Sequence, residues 1–360
     1  MIILKKTVLF SIIHMLVDGL CAFTMAAVSP SGNAVISAFI VYNFCAFVLQ
    51  MPIGAVIDGL ISRSDNHKLP LLFSIYGSVI TLAGSLILIF LPGTILTAYS
   101  GVIVLGIGNA MFHVGGGVGS IIEDHINNKK GQNLGLFVAP GALGLYLGAK
   151  LLTLNPIIML FTYMIIVGII IFLLNKAFAL TDLSLKYKPV SSPVERRDLI
   201  LIICCFIVVV LRSYIGFSVS MPWKTGTLLP LLAVICIVLG KFGGGVLAAR
   251  FDVRLVISVT LIICTIGYAF IDIPMIGLIT LFLFNTTMPI TLYLLVNRFK
   301  NMPGLYFGFL TVALFAGYVP SALSLTPSVN NRLIGIFGCI VSLILLLAAT
   351  VSVSKKSIEP

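Results

Sequence analysis

Apolar residues fill this chain in long blocks, separated at short intervals by clusters of lysine, arginine, asparagine, proline or glycine. A helix needs roughly 20 apolar residues to cross a bilayer. Twelve blocks meet that length, at about 7–28, 33–57, 69–91, 94–118, 131–153, 155–176, 199–221, 228–249, 253–273, 275–297, 303–325 and 331–353. Helices are expected because they satisfy every backbone polar group within the segment, as lipid demands. The connections are too short for a separate soluble domain. The longest polar stretch, "NKAFALTDLSLKYKPVSSPVERRD" (175–198), carries Pro189 and Pro193 and divides six blocks from six, so it reads as a linker. The pattern thus predicts an all-α integral membrane protein with twelve transmembrane helices in two pseudo-symmetric six-helix bundles. These cover 1–176 and 199–360, with a cytoplasmic linker at 177–198.

The halves echo each other. "GAVIDGLISR" follows the second block and "GGVLAARFDVR" the eighth; each is a glycine-led helix end with basic residues after it. Repeated six-helix units suggest bundles related by an axis along the membrane normal, with a site between them at the midplane.

Composition agrees. The chain is 59% hydrophobic and 9% charged, with a mean hydropathy of +1.18, which excludes an ordinary soluble domain. The first block is expected to remain as a span, since no small-residue cleavage pattern leads from it into a polar region. All seven cysteines fall in apolar segments without a Cys-x-x-Cys pair and read as core filler. The net charge of +11 raises the question of nucleic acid, and its distribution answers it. Lys5, Lys6, Arg63, Lys68, Lys129, Lys130, Lys176, Lys186, Lys188, Arg196, Arg197, Arg250, Arg254, Arg298, Lys300, Lys355 and Lys356 share one side; only Lys150, Lys224 and Arg332 fall on the other. That bias predicts a multi-pass protein of the cell's inner (plasma) membrane with both termini cytoplasmic. The basic residues are an insertion signal facing membrane lipid, with no nucleic-acid partner.

Few polar residues interrupt the spans. His14 and Asp18 lie four apart, on one face of the first helix. An acid at the bilayer centre costs roughly 2.5–3.5 kcal/mol on insertion scales, so it must face protein or a water-filled cavity. Two readings stand: a hydrogen-bonded helix contact, or a proton-handling pair, with Asp18 the leading carboxylate. The fourth span, "GIGNAMFHVGGGVGS", offers His113 for packing, gating or substrate contact. In the second half Arg212 sits mid-span and cannot shed its charge; Asp18, an anionic substrate, or both in turn must meet it. Lys241 either lines the same cavity or snorkels to the cytoplasmic interface. In the tenth span Asn285, Thr286, Thr287 and Thr291 surround Pro289, as cavity lining or as ordinary helix hydrogen bonds. The fifth span, "GLFVAPGALGLYLGAK", thins one face with Gly135, Gly141, Gly144 and Gly148 and bends at Pro140, which suits bundles that press together or slide. No phosphate loop, paired carboxylates or metal cluster is present, so an enzyme, a resident metal and a cofactor are not expected. "EDHINNKK" (123–130) reads as a solvated turn.

Together these residues resemble the major facilitator superfamily of transporters. "GAVIDGLISR", with Gly54, Asp58 and Arg63, is similar to that family's loop between helices two and three. There the resemblance implies a conformational latch, with the acid capping a neighbouring helix N-terminus, a role that suits the helix dipole. In the second half Ala249 stands where the matching acid would be. The glycine–proline run of the fifth span is similar to the motif associated with antiporters, with Ala139 before Pro140 where glycine is usual. Within the superfamily the chain resembles fosmidomycin resistance proteins, through His14 and Asp18, the run Gly106, Gly108, Phe112 and His113, Arg212, and the glycine-rich "GLYFGFLTVALFAGYVPSAL". Val114 replaces their usual proline, and Lys241 has no expected counterpart.

The resemblance implies a monomeric secondary transporter that moves a small molecule by alternating access. Proton-coupled efflux of a small anion is the direction it favours, with Asp18 and His14 coupling protons and Arg212, His113, Asn285 and Lys241 binding substrate. Proton-coupled uptake of an organic anion, cationic drug efflux, a membrane-embedded enzyme and a non-transporting receptor are the alternatives.

Overall fold

The computed structural model describes residues 6–28, 33–64, 68–91, 94–179, 194–325 and 330–354. The first half contains α1 (Lys6–Ala27), α2 (Asn33–Asn43), a π-helical turn (Phe44–Val48), α3 (Gln50–Ser64), α4 (Leu69–Phe90), α5 (Ile95–Asn127), α6 (Gln132–Val138), α7 (Gly141–Lys150) and α8 (Pro156–Ala179). The second contains α9 (Arg196–Ser218), α10 (Leu228–Arg250), α11 (Val253–Ala269), α12 (Pro274–Arg298), α13 (Pro303–Ala322) and α14 (Asn331–Ser354). All twelve expected spans are present. The second is α2 and α3 joined through the π turn, and the fifth is α6 and α7 broken at Ala139–Pro140. Among the described residues ten helices are long and apolar enough to cross a membrane; the broken fifth span and the 17-residue α11 are the other two. The part of the linker from 180 to 193, with Pro189 and Pro193, lies outside the described residues, as do Lys5, Lys186, Lys188, Lys355 and Lys356.

Burial sorts the helices. The best hydrophobic windows of α1 and α12 are each 67% buried against 28% for α8, so two spans form the centre and α8 the rim. Ile158, Phe161, Ile165, Ile169 and Phe172 of α8 are exposed, as a lipid-facing surface requires. Small residues bring backbones together elsewhere. A side chain at Gly77 or Gly84 would strike Phe112 or Leu105 of α5, which is why α4 and α5 press so closely.

One expectation is corrected here. The fourth span was predicted to end near 118, with 123–130 as a solvated turn; α5 instead continues to Asn127 and stops at Asn128 in a left-handed conformation (φ 51°). Asp124 is buried. Its carboxylate accepts from Asn133 N at 2.8 Å and Leu134 N at 2.9 Å, capping the first turn of α6, where N–H groups lack helical partners.

The halves share more than helix count. At the start of α1, Lys6 Nζ lies 3.5 Å from Glu123 near the end of α5. At the start of α9, Asp198 binds Arg298 at the end of α12 through two contacts of 2.6 Å. The same positions of the repeat, first span to fourth, carry an ion pair of reversed sign. Both lie on the side where the described chain begins and ends, called here the terminal side.

Across the halves, two tight crossings seal that side. Gly54 of α3 lies against the Gly304 carbonyl of α13, where any side chain would overlap it. Gly135 of α6 faces the Lys241 carbonyl of α10, with Gly245 close by. Toward the opposite side the halves part and leave a central cavity.

Candidate functional site: a central cavity between the halves

The cavity occupies ≈590 Å³ and takes lining from every described helix except α4, α8 and α14. Its floor lies near His14, part-way along α1, and His113 of α5. Its walls reach Leu145 and Ala149 on α7, Phe217 in the last turn of α9 and Lys224 beyond it, all toward the side opposite the termini. The walls are mostly apolar and aromatic. Phe217 and Tyr318 meet edge to face at 5.0 Å near the mouth. The π turn is part of the wall, and its Phe47 carbonyl accepts from Thr311 of the other half at 2.8 Å. Such turns leave carbonyls free for outside donors and recur at functional sites.

The polar groups divide by half. On the first, the one-turn spacings of His14 and Asp18 on α1 and of Asn109 and His113 on α5 turn four side chains to one point. His14 Nε2 lies 3.1 Å from Asp18 Oδ2, and His113 Nε2 3.5 Å from Asp18 Oδ1. Asn109 Nδ2 donates to Asp18 Oδ1 at 3.0 Å. The two Nε2 atoms are 2.8 Å apart. Phe137 of α6 stacks on the His14 ring at 4.7 Å, and Gly141 of α7 covers the pair, with Asp18 Oδ2 2.5 Å from where its Cβ would stand.

The second half supplies Arg212, Lys241 and Asn285. Neither Arg212 nor Lys241 forms an ion pair among the described residues, and the Arg212 Nε is buried without a hydrogen-bond partner. Lys241 and Arg212 line the same cavity as Asp18 and His113. Lys241 thus faces the cavity.

The remaining expected residues separate by role. Asn285 lines the cavity, whereas Thr286, Thr287 and Thr291 are buried and return their hydroxyls to carbonyls of their own helix. Asp58 caps α13, its two oxygens accepting from Gly304 N at 2.9 Å and Leu305 N at 2.8 Å. Arg63 is exposed and pairs with no carboxylate among the described residues. Of the fifth-span glycines, only Gly135 touches the other half; Gly144 and Gly148 rest on the Met15 and Gly19 carbonyls of α1.

Two residues escaped the sequence reading. Asn109 sits one turn before His113, a spacing that would have revealed it. Ser11 gave no such signal. Its one hydroxyl hydrogen is shared between the Thr7 carbonyl at 2.6 Å and the Leu136 carbonyl at 3.1 Å, the latter left unserved by Pro140, which lacks an N–H.

No family model matches the chain, and no curated protein matches its sequence. Solved structures do. The E. coli fucose:proton symporter FucP aligns over 96% of this chain and 98% of its own, at 12% identity and a TM-score of 0.60. A structure of the major facilitator superfamily transporter FucP in the outward conformation aligns over 97% and 99%, at 12% identity and a TM-score of 0.55. At that identity the likeness is one of fold: the chain has the all-helical major facilitator architecture.

Proposed function

We propose that this protein is a secondary transporter of a small organic anion, coupled to protons and working by alternating access. The observation that carries the reading is the pair of cations, Arg212 and Lys241, facing a mostly apolar cavity with no ion pair among the described residues. A fixed guanidinium in such surroundings is costly unless an anion visits it. The aromatic walls suit a substrate with an apolar body. The basic bias sets the termini in the cytoplasm, so the cavity opens outward.

Asp18, His14 and His113 form the proton-handling wall opposite the cations, with Asn285 beside them. A deprotonated cluster is negative and competes with the substrate for Arg212 and Lys241; a protonated one releases them. That electrostatic logic favours proton and anion travelling together, inward down the proton gradient. Exchange, with efflux of the anion, is the second reading. It rests on the fifth-span motif and on the likeness to fosmidomycin resistance proteins.

The test is a thermal-shift screen of detergent-purified protein against phosphonates, sugar phosphates, carboxylates and cationic drugs, followed by liposome flux with a pH dye. Anions should stabilise the protein, and Arg212→Ala should weaken that binding by roughly 10–100-fold, the scale of one charge-assisted hydrogen bond. A stabilising anion that enters with protons establishes co-transport; one that drives them the other way establishes exchange. Stabilisation by cations alone, lost in Asp18→Asn, would refute the anion site.

A further inference from the structure

The two histidines meet through their Nε2 atoms, 2.8 Å apart. Each ring's other nitrogen faces a backbone carbonyl: His14 Nδ1 lies 2.7 Å from Phe137 O, and His113 Nδ1 lies 2.8 Å from Asn109 O. A carbonyl oxygen only accepts, so both Nδ1 atoms carry hydrogen. Two neutral rings of that tautomer would set one lone pair against the other across the gap. One more proton removes the conflict and makes the pair a shared imidazolium. Asp18, at 3.1 and 3.5 Å from the two Nε2 atoms, balances its charge. Asn109 donates to the same carboxylate, as an amide does to an ionised acid.

We infer that the His14–His113 pair is the proton-binding site, one proton shared between the two Nε2 atoms, with Asp18 as its ionised counter-ion. This deepens the transport reading above and rests on it for its purpose. It also moves the proton from the carboxylate, where the sequence suggests it, to the imidazoles. The same three residues offer donor atoms within 4.8 Å of one another, a set a divalent metal could use. Two imidazoles on one tetrahedral zinc stand about 3.3–3.4 Å apart, given Zn–N distances of about 2.0–2.1 Å. The observed 2.8 Å fits an N–H···N bond instead.

The proton is tied to the gate through the break in the fifth span. There Ser11 and His14, both on α1, donate to the carbonyls of Leu136 and Phe137. When the proton leaves for the cavity, both rings become neutral and their facing lone pairs repel. One ring must turn, and turning His14 withdraws its Nδ1–H from Phe137. That loosens the C-terminal end of α6, the helix whose Gly135 closes on α10. The other charges facing the pair are Lys241 on α10 and, beyond it, Arg212 on α9. Tyr42 and Cys21 border Asp18, and α6 and α7 present no titratable group to it. An anion bound at the two cations would therefore strengthen proton binding, and the proton would strengthen anion binding.

The experiment is ¹⁵N-histidine and ¹³C-aspartate NMR of the full chain in lipid nanodiscs, in a His67→Gln/His125→Gln background, titrated with pH. At neutral pH the expected spectrum has both Nδ1 atoms protonated, both Nε2 atoms at an averaged, half-protonated shift, and Asp18 ionised. One titration step should move both rings together. His113→Asn should leave His14 neutral with its proton on Nδ1, and Asp18→Asn should expel the shared proton from an otherwise intact pair. As the proton leaves, amide exchange at 136–142 should rise by roughly tenfold, as expected for local opening. Rings that titrate independently, a protonated Asp18, or stoichiometric zinc uptake with release of the proton would each overturn the inference. A shared proton without coupled flux in liposomes would sink the transport reading alone; coupled flux with independent rings would sink this one alone.

Discussion

Gly141 makes the His14–Asp18–His113 cluster possible by having no side chain. Its Cβ would stand 2.5 Å from Asp18 Oδ2 and against His14 Nε2, so Gly141→Ala drives a methyl into the pair. The backbone there is helical, where alanine is favoured over glycine by about 1 kcal/mol. The variant is therefore expected to fold and express while losing proton-coupled flux. Gly168→Ala is the matched control, because nothing lies within 4 Å of its Cβ. Purified Gly141→Ala that keeps both its melting temperature and its coupled flux would show that the pair tolerates displacement. Chemistry at this scale was partly legible in the sequence. His14, Asp18, His113, Arg212 and Lys241 are conspicuous because charged and titratable groups are expensive in a membrane interior. Ser11 was illegible: a serine that bonds back to its own helix, as Ser11 does to Thr7 at 2.6 Å, looks the same whether or not it also serves a broken neighbour.

Two carboxylates cap helices other than their own, and they do so differently. Asp58 reaches from α3 across the halves to the first turn of α13, while Asp124 caps α6 from within its own half. The position that repeats Asp58 in the second half is Ala249, so one crossing carries a carboxylate bound to backbone N–H groups and the other lacks it, its backbones meeting at Gly135 and Gly245. Loss of two hydrogen bonds to a charged acceptor weakens the Asp58 crossing by about 2–3 kcal/mol, which is roughly a 30–150-fold shift in population. Asp58→Ala should therefore move the protein away from this closed-terminal-side state. A spin-label pair placed across α3 and α13 would show the added separation; an unchanged distance distribution would mean that the glycine contact alone holds the crossing. The element scale was the most legible one. Hydropathy marked all twelve spans, and Pro140 marked the break. The ends of α5 and α11 were misjudged because a helix extension beyond the apolar block is polar and a short span is not bounded by its apolar block. The π turn in "FCAFV" left no trace, since its residues are those of any apolar helix.

At the scale of the whole molecule, backbone-to-backbone crossings join the halves on the terminal side, and among the described residues none as tight joins them on the other; if the protein alternates as proposed, this is the member open on the side opposite the termini. The repeat separates the contacts that the proposed alternation would keep from those it would break. The first-to-fourth-span ion pairs, Lys6–Glu123 and Asp198–Arg298, lie within halves and can persist while the halves rock, whereas Asp58–α13 and α6–α10 lie between halves and must part. A cysteine-free background separates the two states. Cysteines at Leu145 and Phe217, which line the cavity mouth and are exposed, should react with a membrane-impermeant maleimide added outside right-side-out vesicles. Cysteines at Met51 and Leu305, beside the sealed crossing, should stay protected from reagent on either face. Asp58→Ala should then expose Met51 and Leu305 to reagent on the cytoplasmic face and slow labelling at Leu145 and Phe217, because one rigid rocking motion opens one side as it closes the other. Labelling of Leu145 from the cytoplasmic face would reverse the orientation drawn from the basic residues. Simultaneous labelling of both sides in the variant would replace rocking with independent gates, and the ion pairs within each half would then have no rigid bodies to hold together.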